Sequence, residues 1–234
     1  MTNGPLQLDA PRLARGGFRD VFQHPDHDHL LVKIVRAASR PAPASGRSWT
    51  SAYRRYGLYT PYMREMKEYV AVYARFSGTP RCIQRCYGLV DTNFGLGMVV
   101  EKLCGADGGL APSIASIVQA QGISSRLWQS VGEFLEDIRS HGLVVNDMNP
   151  RNVVRALENG KERLVLVDGL GEKNLLPVRT LAPAFNRMKL ERDIKYFRTR
   201  LLRAAAELHW PKRFTRETAH NIRFEEVIDR PPPA

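Results

Sequence analysis

The sequence predicts an α+β fold of two small lobes. Residues 1–103 encode a small antiparallel β-sheet carrying one helix, and residues 104–234 a reduced, mainly helical lobe. Three features predict this division. Short apolar runs separated by polar turns fill the first stretch, with a single helical pattern among them. Helical spacing dominates the second stretch. Inside that second stretch, an acid–amide loop and a later acid bracket a short hairpin.

In the first lobe, residues 1–12 are read as a tail. Leu13 to Phe22 is a strand, a turn at Gly16-Gly17 and a second strand. His24-Pro25-Asp26-His27-Asp28-His29 forms a hairpin tip, and its histidines are read as solvated turn residues rather than metal ligands. Leu30 to Val35 is an apolar strand with Lys33 inside it, on one face with Leu31 and Val35. A buried lysine needs an anionic partner. The bland alternative is an edge-strand lysine that snorkels to water. Residues 37–60 are a basic insertion. Tyr62 to Phe76 is a helix whose apolar face is Met66, Tyr69, Val70, Tyr73 and Phe76. It offers Glu65 and Glu68 to Lys33; Glu68 is the preferred partner and Glu65 is read as solvated. Strands over 82–90 and 95–103 follow, joined by Asp91-Thr92-Asn93-Phe94.

In the second lobe, helices are expected over 112–121 and 123–140. The latter buries Leu127, Trp128, Val131, Phe134, Leu135 and Ile138 at helical spacing. The stretch 141–171 organises the chain. Asp147 and Asn152 stand five residues apart, and sixteen residues later Asp168 closes the apolar run Leu164-Val165-Leu166-Val167. An acid and an amide on a short loop, then a hairpin, then an acid can place a base and two magnesium ligands around a triphosphate. Magnesium takes hard oxygen ligands and keeps several waters, so Asp168 and Asn152 suffice beside phosphates. Asp147 is placed to accept the proton of an attacking hydroxyl. Pro150 stiffens the loop, and the glycines after Asp168 open backbone conformations closed to other residues. An Asp/Asn-rich turn ending in a capping Asp is the bland alternative. The strand and the Asp-Gly pair at that distance favour chemistry.

A long helix is expected over 184–208, with Met188, Ile194, Phe197, Leu201 and Leu202 as its apolar side. Arg187, Lys189, Arg192, Lys195, Arg198, Arg200 and Arg203 make it basic. It is either a solvated packing helix or a surface for anionic substrate or lipid headgroups. Nucleic acid is the less favoured partner, since no stacking aromatics interleave as in an RNA platform.

Composition is that of a globular protein, 43% hydrophobic and 25% charged. The net charge of +11 favours anionic partners without choosing among them. Cys82, Cys86 and Cys104 form no disulfide framework, and no cysteine or histidine pair stands near enough in sequence to suggest zinc. Neither a signal peptide nor an apolar run of about 20 residues is present. A cytoplasmic protein is expected, at the inner-membrane periphery if the basic helix meets lipid.

The order of glycine turn, strand lysine, helix glutamate, acid–amide loop and metal-binding Asp resembles the protein-kinase-like fold. Ile138 to Asn152 is similar, register for register, to the kinase catalytic-loop region. Met98 to Leu103 resembles the gatekeeper and hinge. Val100 is then the gatekeeper, and the backbone groups of Glu101 and Leu103 meet adenine. More specifically, the chain resembles the bacterial YrbL family (PhoP regulatory network protein YrbL) from about residue 13 to 203. The resembling pieces are GLGMVVEKL, Asp107-Gly108-Gly109 before APSIASIV, NDMNPRN, LVLVDGLG and RMKLERDIKYFRTR. The resemblance implies ATP and Mg2+ as cofactors. Gly16, Gly17, Lys33, Glu68, Glu101 and Leu103 would hold nucleotide, Asn152 and Asp168 metal, and Asp147 would be the catalytic base.

The departures also carry expectations. Gly16 alone keeps its place among the three loop glycines, Ala14 and Arg19 taking the others, with Arg19 able to add charge beside phosphate. Asn146 precedes Asp147 where regulated kinases have arginine, so control by a phosphorylated activation loop is not expected. Asn149 stands where Ser/Thr kinases carry lysine and small-molecule kinases commonly carry histidine, and Gly169 where Asp-Phe-Gly has phenylalanine. With 66 residues after Asp168 (234 − 168) and no Ala-Pro-Glu segment, a small-molecule or envelope-associated hydroxyl acceptor is expected over a protein. The competing expectation is a kinase-like regulatory module that binds nucleotide with little or no transfer.

Overall fold

The computed structural model describes residues 4–36, 56–172, 179, 182–209, 225 and 227–231. The expected insertion over 37–60 therefore lies outside the described residues except for 56–60. The chain forms two compact units. One holds the chain through Thr79 together with Gln84–Leu103; the other holds Pro80–Ile83, Cys104–Glu172 and the residues from Pro177 onward.

The first unit is built on five antiparallel strands in the order β1-β2-β3-β5-β4. They are β1 (Ala14–Arg15), β2 (Arg19–Gln23), β3 (Leu30–Val35), β4 (Cys86–Thr92) and β5 (Gly95–Glu101). Every residue of β3 is buried, as a central strand requires. Its neighbours pair Val21 and Met98 with Lys33 from either side. The start of the chain is less of a tail than expected. Leu6 pairs with Thr92, and Leu8, 3% exposed, joins Phe22, Val32 and Ile34 in a core cluster.

Helix α1 (Thr60–Phe76) begins with Pro61 in its first turn, where the missing N–H costs nothing. The structure corrects its expected face. Val70, Tyr73 and Phe76 are exposed, and the buried residues are Tyr62, Glu65, Glu68 and Val72. Apolar spacing misleads here because the inward Glu65 carboxylate is compensated from the sheet. The Arg19 guanidinium makes a two-pronged ion pair with Glu65 and lies 5.3 Å from the Tyr62 ring centroid. Tyr62 donates its hydroxyl to the Lys33 carbonyl at 2.6 Å and accepts from the Val35 N–H at 3.1 Å, pinning α1 to β3.

The histidine turn also differs from expectation. His24 is buried while His27 and His29 are exposed, and successive rings meet at tilted angles of 42° and 53°. Burial, and then the neighbouring His27, push the His24 pKa down. Residues 82–85 are not strand except for a single bridge from Ile83 to Leu166.

The second unit contains α2 (Ile114–Gln121), α3 (Ser125–Ser140), the hairpin β6 (Val153–Glu158) and β7 (Lys161–Leu166), and α4 (Pro183–His209). Ser113 and Ser124 cap α2 and α3, each accepting an N–H three residues on at 3.2 Å. Asn159 and Gly160, at φ 52° and 75°, form the tight hairpin turn that this dipeptide favours. Val131, Phe134, Leu135 and Ile138 of α3 pack in the core as expected, and Phe134 meets Phe197 of α4 at 6.4 Å. Trp128 is only half-buried, beneath the Arg198 guanidinium at 5.7 Å. The buried stripe of α4 is Asn186, Leu190, Ile194, Phe197, Leu201, Ala205 and Ala206. Met188, expected inside, is 64% exposed.

Candidate active site

The first unit carries six of the sequence-selected residues. Gly16 and Gly17 form the exposed turn between β1 and β2, closed by the Gly16 N–H to the Arg19 carbonyl at 2.8 Å. The Arg36 side chain donates to the carbonyls of both glycines. Arg19 does not reach this turn's solvent side as expected; it is 6% exposed and committed to Glu65. Glu65, expected in solvent, is correspondingly buried. The reason is mutual compensation: neither charge could be buried without the other.

Lys33 is buried, and its ammonium donates to Gln84 Oε1 at 2.6 Å. Gln84 in turn donates its amide to the Glu101 carbonyl at 2.7 Å. Glu68 is buried on α1. Gln84 was not singled out from sequence, because it lies in irregular chain with no periodicity to mark it. The Glu101 carboxylate accepts the Arg85 N–H at 2.9 Å, and its own N–H reaches the Arg85 carbonyl at 3.0 Å. Its carbonyl therefore already carries one hydrogen bond from Gln84. Leu103 is buried and, among the described residues, its backbone N–H has no protein hydrogen-bond partner.

The second unit brings Asp147, Asn152 and the Asp168 segment together. Asn149 caps a short 3-10 turn, Pro150–Asn152, by accepting the Arg151 N–H at 3.1 Å. That turn aims Asn152 back along the loop. Its amide donates to Asp147 Oδ2 at 3.0 Å and to the Asp147 carbonyl at 3.2 Å. The Val167 N–H donates to the Asn152 carbonyl at 2.8 Å, tying the loop to the end of β7. Asp147 is exposed; Asn152 and Asp168 are half-buried.

Past Asp168, whose Oδ1 accepts the Gly169 N–H at 2.7 Å, the chain runs antiparallel to the loop. The Gly169 carbonyl takes the Asn146 N–H at 2.7 Å and the Asp147 N–H at 3.3 Å, and Val145 bridges Leu170. Gly169 has φ +91°, and a Cβ there would lie 2.7 Å from the Asp147 carbonyl oxygen. A phenylalanine could not occupy this position in this geometry.

Two further residues support the loop from behind. Arg179 is buried and donates to the Val145 carbonyl at 2.8 Å and to Asn186 Oδ1 at 2.9 Å. The Asn186 amide donates to the Gly142 and Leu143 carbonyls at 3.1 and 3.3 Å. Asn186 had a readable signal, a polar residue on the buried stripe four positions before Leu190. Arg179 had none.

The two exposed faces of the amide–carboxylate pair are chemically distinct. Asn152 spends its NH2 on Asp147, and among the described residues its amide oxygen and Asp147 Oδ1 have no partner. The donor set offered by Asn152 and Asp168 is all hard oxygen, which fits magnesium and not a soft cation.

This sheet-and-helix unit and this loop–hairpin unit define a protein-kinase-like fold, and a solved structure shares it. The chain aligns with the crystal structure of Rad53 1-466 in complex with AMP-PNP at TM-score 0.51 and 15% identity. That alignment covers 81% of this chain and 45% of the Rad53 chain, so this protein spans less than half of that relative. A kinase domain of PknI from Mycobacterium tuberculosis aligns at TM-score 0.49 and 14% identity over 95% of this chain and 77% of that one. No curated protein matches the sequence. The model of the family PhoP regulatory network protein YrbL matches residues 6–202, and the chain belongs to that family.

Proposed function

We propose that this chain is an ATP- and magnesium-dependent phosphotransferase acting on the hydroxyl of a small or envelope-associated acceptor. The observation that supports it most is Asp147 held by the Asn152 amide on a loop hydrogen-bonded to the backbone just after Asp168. A dead scaffold has no use for an exposed carboxylate oriented in this way. Asp147 takes the acceptor proton as the hydroxyl attacks. Asn152 and Asp168 would hold Mg2+, which when bound neutralises charge on the transferring phosphoryl group. In the first unit, Lys33 supplies the phosphate-binding cation, Glu68 positions it, and Gly16 and Gly17 give the phosphates a turn without side chains. Leu103 offers adenine its backbone N–H, and Glu101 its carbonyl. Rad53, which shares the fold, was crystallised with a nucleotide analogue, and this is consistent with that assignment.

Thermal unfolding with and without Mg-ATP tests the nucleotide site. Ligand at about 100 times its dissociation constant should stabilise by about 2.7 kcal/mol. Lys33→Met should reduce the shift and Asp168→Asn should remove its dependence on magnesium. No shift in the wild-type protein would move the assignment to a regulatory module that does not bind nucleotide.

The outward face of α4 favours an acceptor at a membrane. Phe185, Met188, Arg192, Lys195 and Tyr196 share one exposed stripe. The acids beside it are engaged, Glu191 by Arg139 and Asp193 by Lys189. A stripe of exposed apolar groups and cations suits an anionic bilayer surface. Among the described residues, no helix is long and apolar enough to cross a membrane. The protein should sediment with phosphatidylserine-containing vesicles at low salt, be released at high salt, and bind less as R192E/K195E. Equal binding to purely zwitterionic vesicles would remove the electrostatic basis of this assignment.

A further inference from the structure

We infer that the second unit contains a binding site for a zinc-class divalent cation formed by Cys82, Asp137 and His141. One ligand atom from each of these residues lies within 4.8 Å of the other two. The set mixes sulfur, nitrogen and carboxylate oxygen, the combination taken by zinc rather than by magnesium. It is distinct from Asn152 and Asp168, whose donors are oxygen alone, and it does not depend on the phosphotransfer assignment.

The three groups are already held. Asp137 and His141 stand at i and i+4 across the end of α3, which puts both side chains on one face. His141 Nδ1 lies 2.8 Å from the Asp137 carbonyl oxygen and 3.0 Å from Asp137 Oδ1, so its ring is oriented against its own helix. Cys82 is fixed from the other side, because its carbonyl accepts the Leu166 N–H at 2.8 Å and Ile83 bridges the same residue. The Cys82 Sγ lies within 4.8 Å of the Asp137 carboxylate. The same carboxylate is therefore approached by both a thiol and an imidazole.

Access and charge also fit. Cys82 is 2% exposed, but the Asp137 and His141 side chains are 35% and 25% exposed. A cation can enter from their side, with water as fourth ligand. The nearby Arg163 guanidinium is partnered by Glu158 and by the Arg81 carbonyl. On binding, a metal–thiolate bond forms and the Cys82 proton leaves to water; no electron is transferred. Without metal, burial and Asp137 both push the thiol pKa up.

The consequence is positional. The site would staple the Pro80–Ile83 segment to the C-terminal end of α3, just before the chain that leads through Val145 to Asp147. It would be structural, since the ligands lie outside the catalytic loop.

Cobalt titration of the chelator-treated full chain, without nucleotide, tests this. One equivalent of Co2+ should give a thiolate-to-cobalt charge-transfer band in the near ultraviolet, displaced by Zn2+ and unchanged by Mg2+. Cys82→Ser should abolish the band while Cys86→Ser keeps it. His141→Gln, which leaves the buried thiol in place, should keep native circular dichroism and weaken Co2+ binding at least about tenfold. Absence of the band in the wild-type protein overturns the site. So does a band that survives Cys82→Ser, or unchanged affinity in His141→Gln. Because the readout needs no nucleotide, failure here leaves phosphotransfer standing, and failure of the Mg-ATP shift leaves this site standing.

Discussion

Asp147→Asn should lower phosphoryl transfer about 10²–10⁴-fold while leaving nucleotide binding intact. That is about 3–5 kcal/mol added to the barrier. The substitution is chosen because the asparagine side-chain oxygen can still accept from Asn152 Nδ2, the contact that orients the loop. What it removes is the second carboxylate oxygen and its basicity. The backbone contacts of the loop to Gly169 do not involve the side chain and should persist. Single-turnover consumption of ATP, with the Mg-ATP thermal shift measured in parallel, separates the two effects. Unchanged turnover in the variant would show that Asp147 is not the base. Loss of both turnover and the thermal shift would indicate that the loop itself had collapsed.

Gly169→Ala should destabilise the second unit by about 2–4 kcal/mol and also misplace Asp147. Two contributions combine. A non-glycine residue at φ +91° is strained by about 1–3 kcal/mol. The new methyl would also meet the Asp147 carbonyl oxygen at 2.7 Å and its Cβ at 3.1 Å. Backbone cannot rotate aside as a side-chain tip can, so the strands separate. The hydrogen bond from Asn146 to the Gly169 carbonyl weakens with them, a further loss of about 0.5–1.5 kcal/mol. Gly132 on α3 is the control. Nothing lies within 4 Å of a Cβ there, and alanine in a helix should be neutral or stabilising by about 0.5–1 kcal/mol. Urea unfolding of the two variants measures the contrast. Equal stability of Gly169→Ala and wild type would contradict the close approach.

Which parts were legible in the sequence follows from how local their causes are. Strand β3 was readable because a continuous apolar run bounded by turns has few other fates. The buried side of α3 was readable because its apolar residues recur at helical spacing and need no information from elsewhere. That Asp147 and Asn152 share one short loop was readable from their spacing; the hydrogen bond between them was not. The inward face of α1 was not. The carboxylate of Glu65 argues for solvent until Arg19, far away in sequence, is known to lie opposite. Nor was the depth of the requirement at Gly169, since a glycine's neighbours across a chain reversal leave no local mark. Arg179 and Gln84 act through backbone carbonyls and amides, whose positions only the fold supplies.

The pairing of Arg19 with Glu65 has a consequence for how such a chain can diverge. A buried charge that loses its partner is strongly destabilising, whereas exchanging both partners for apolar groups of similar volume is often neutral. The intermediate with one partner replaced is the barrier between those two tolerated states. A single exchange at position 19 or 65 is thus costly, whereas a paired exchange to apolar groups is the route the energetics tolerate. Apolar core residues such as Val32 and Ile34 are under no such restriction, and can exchange shape and volume one small step at a time.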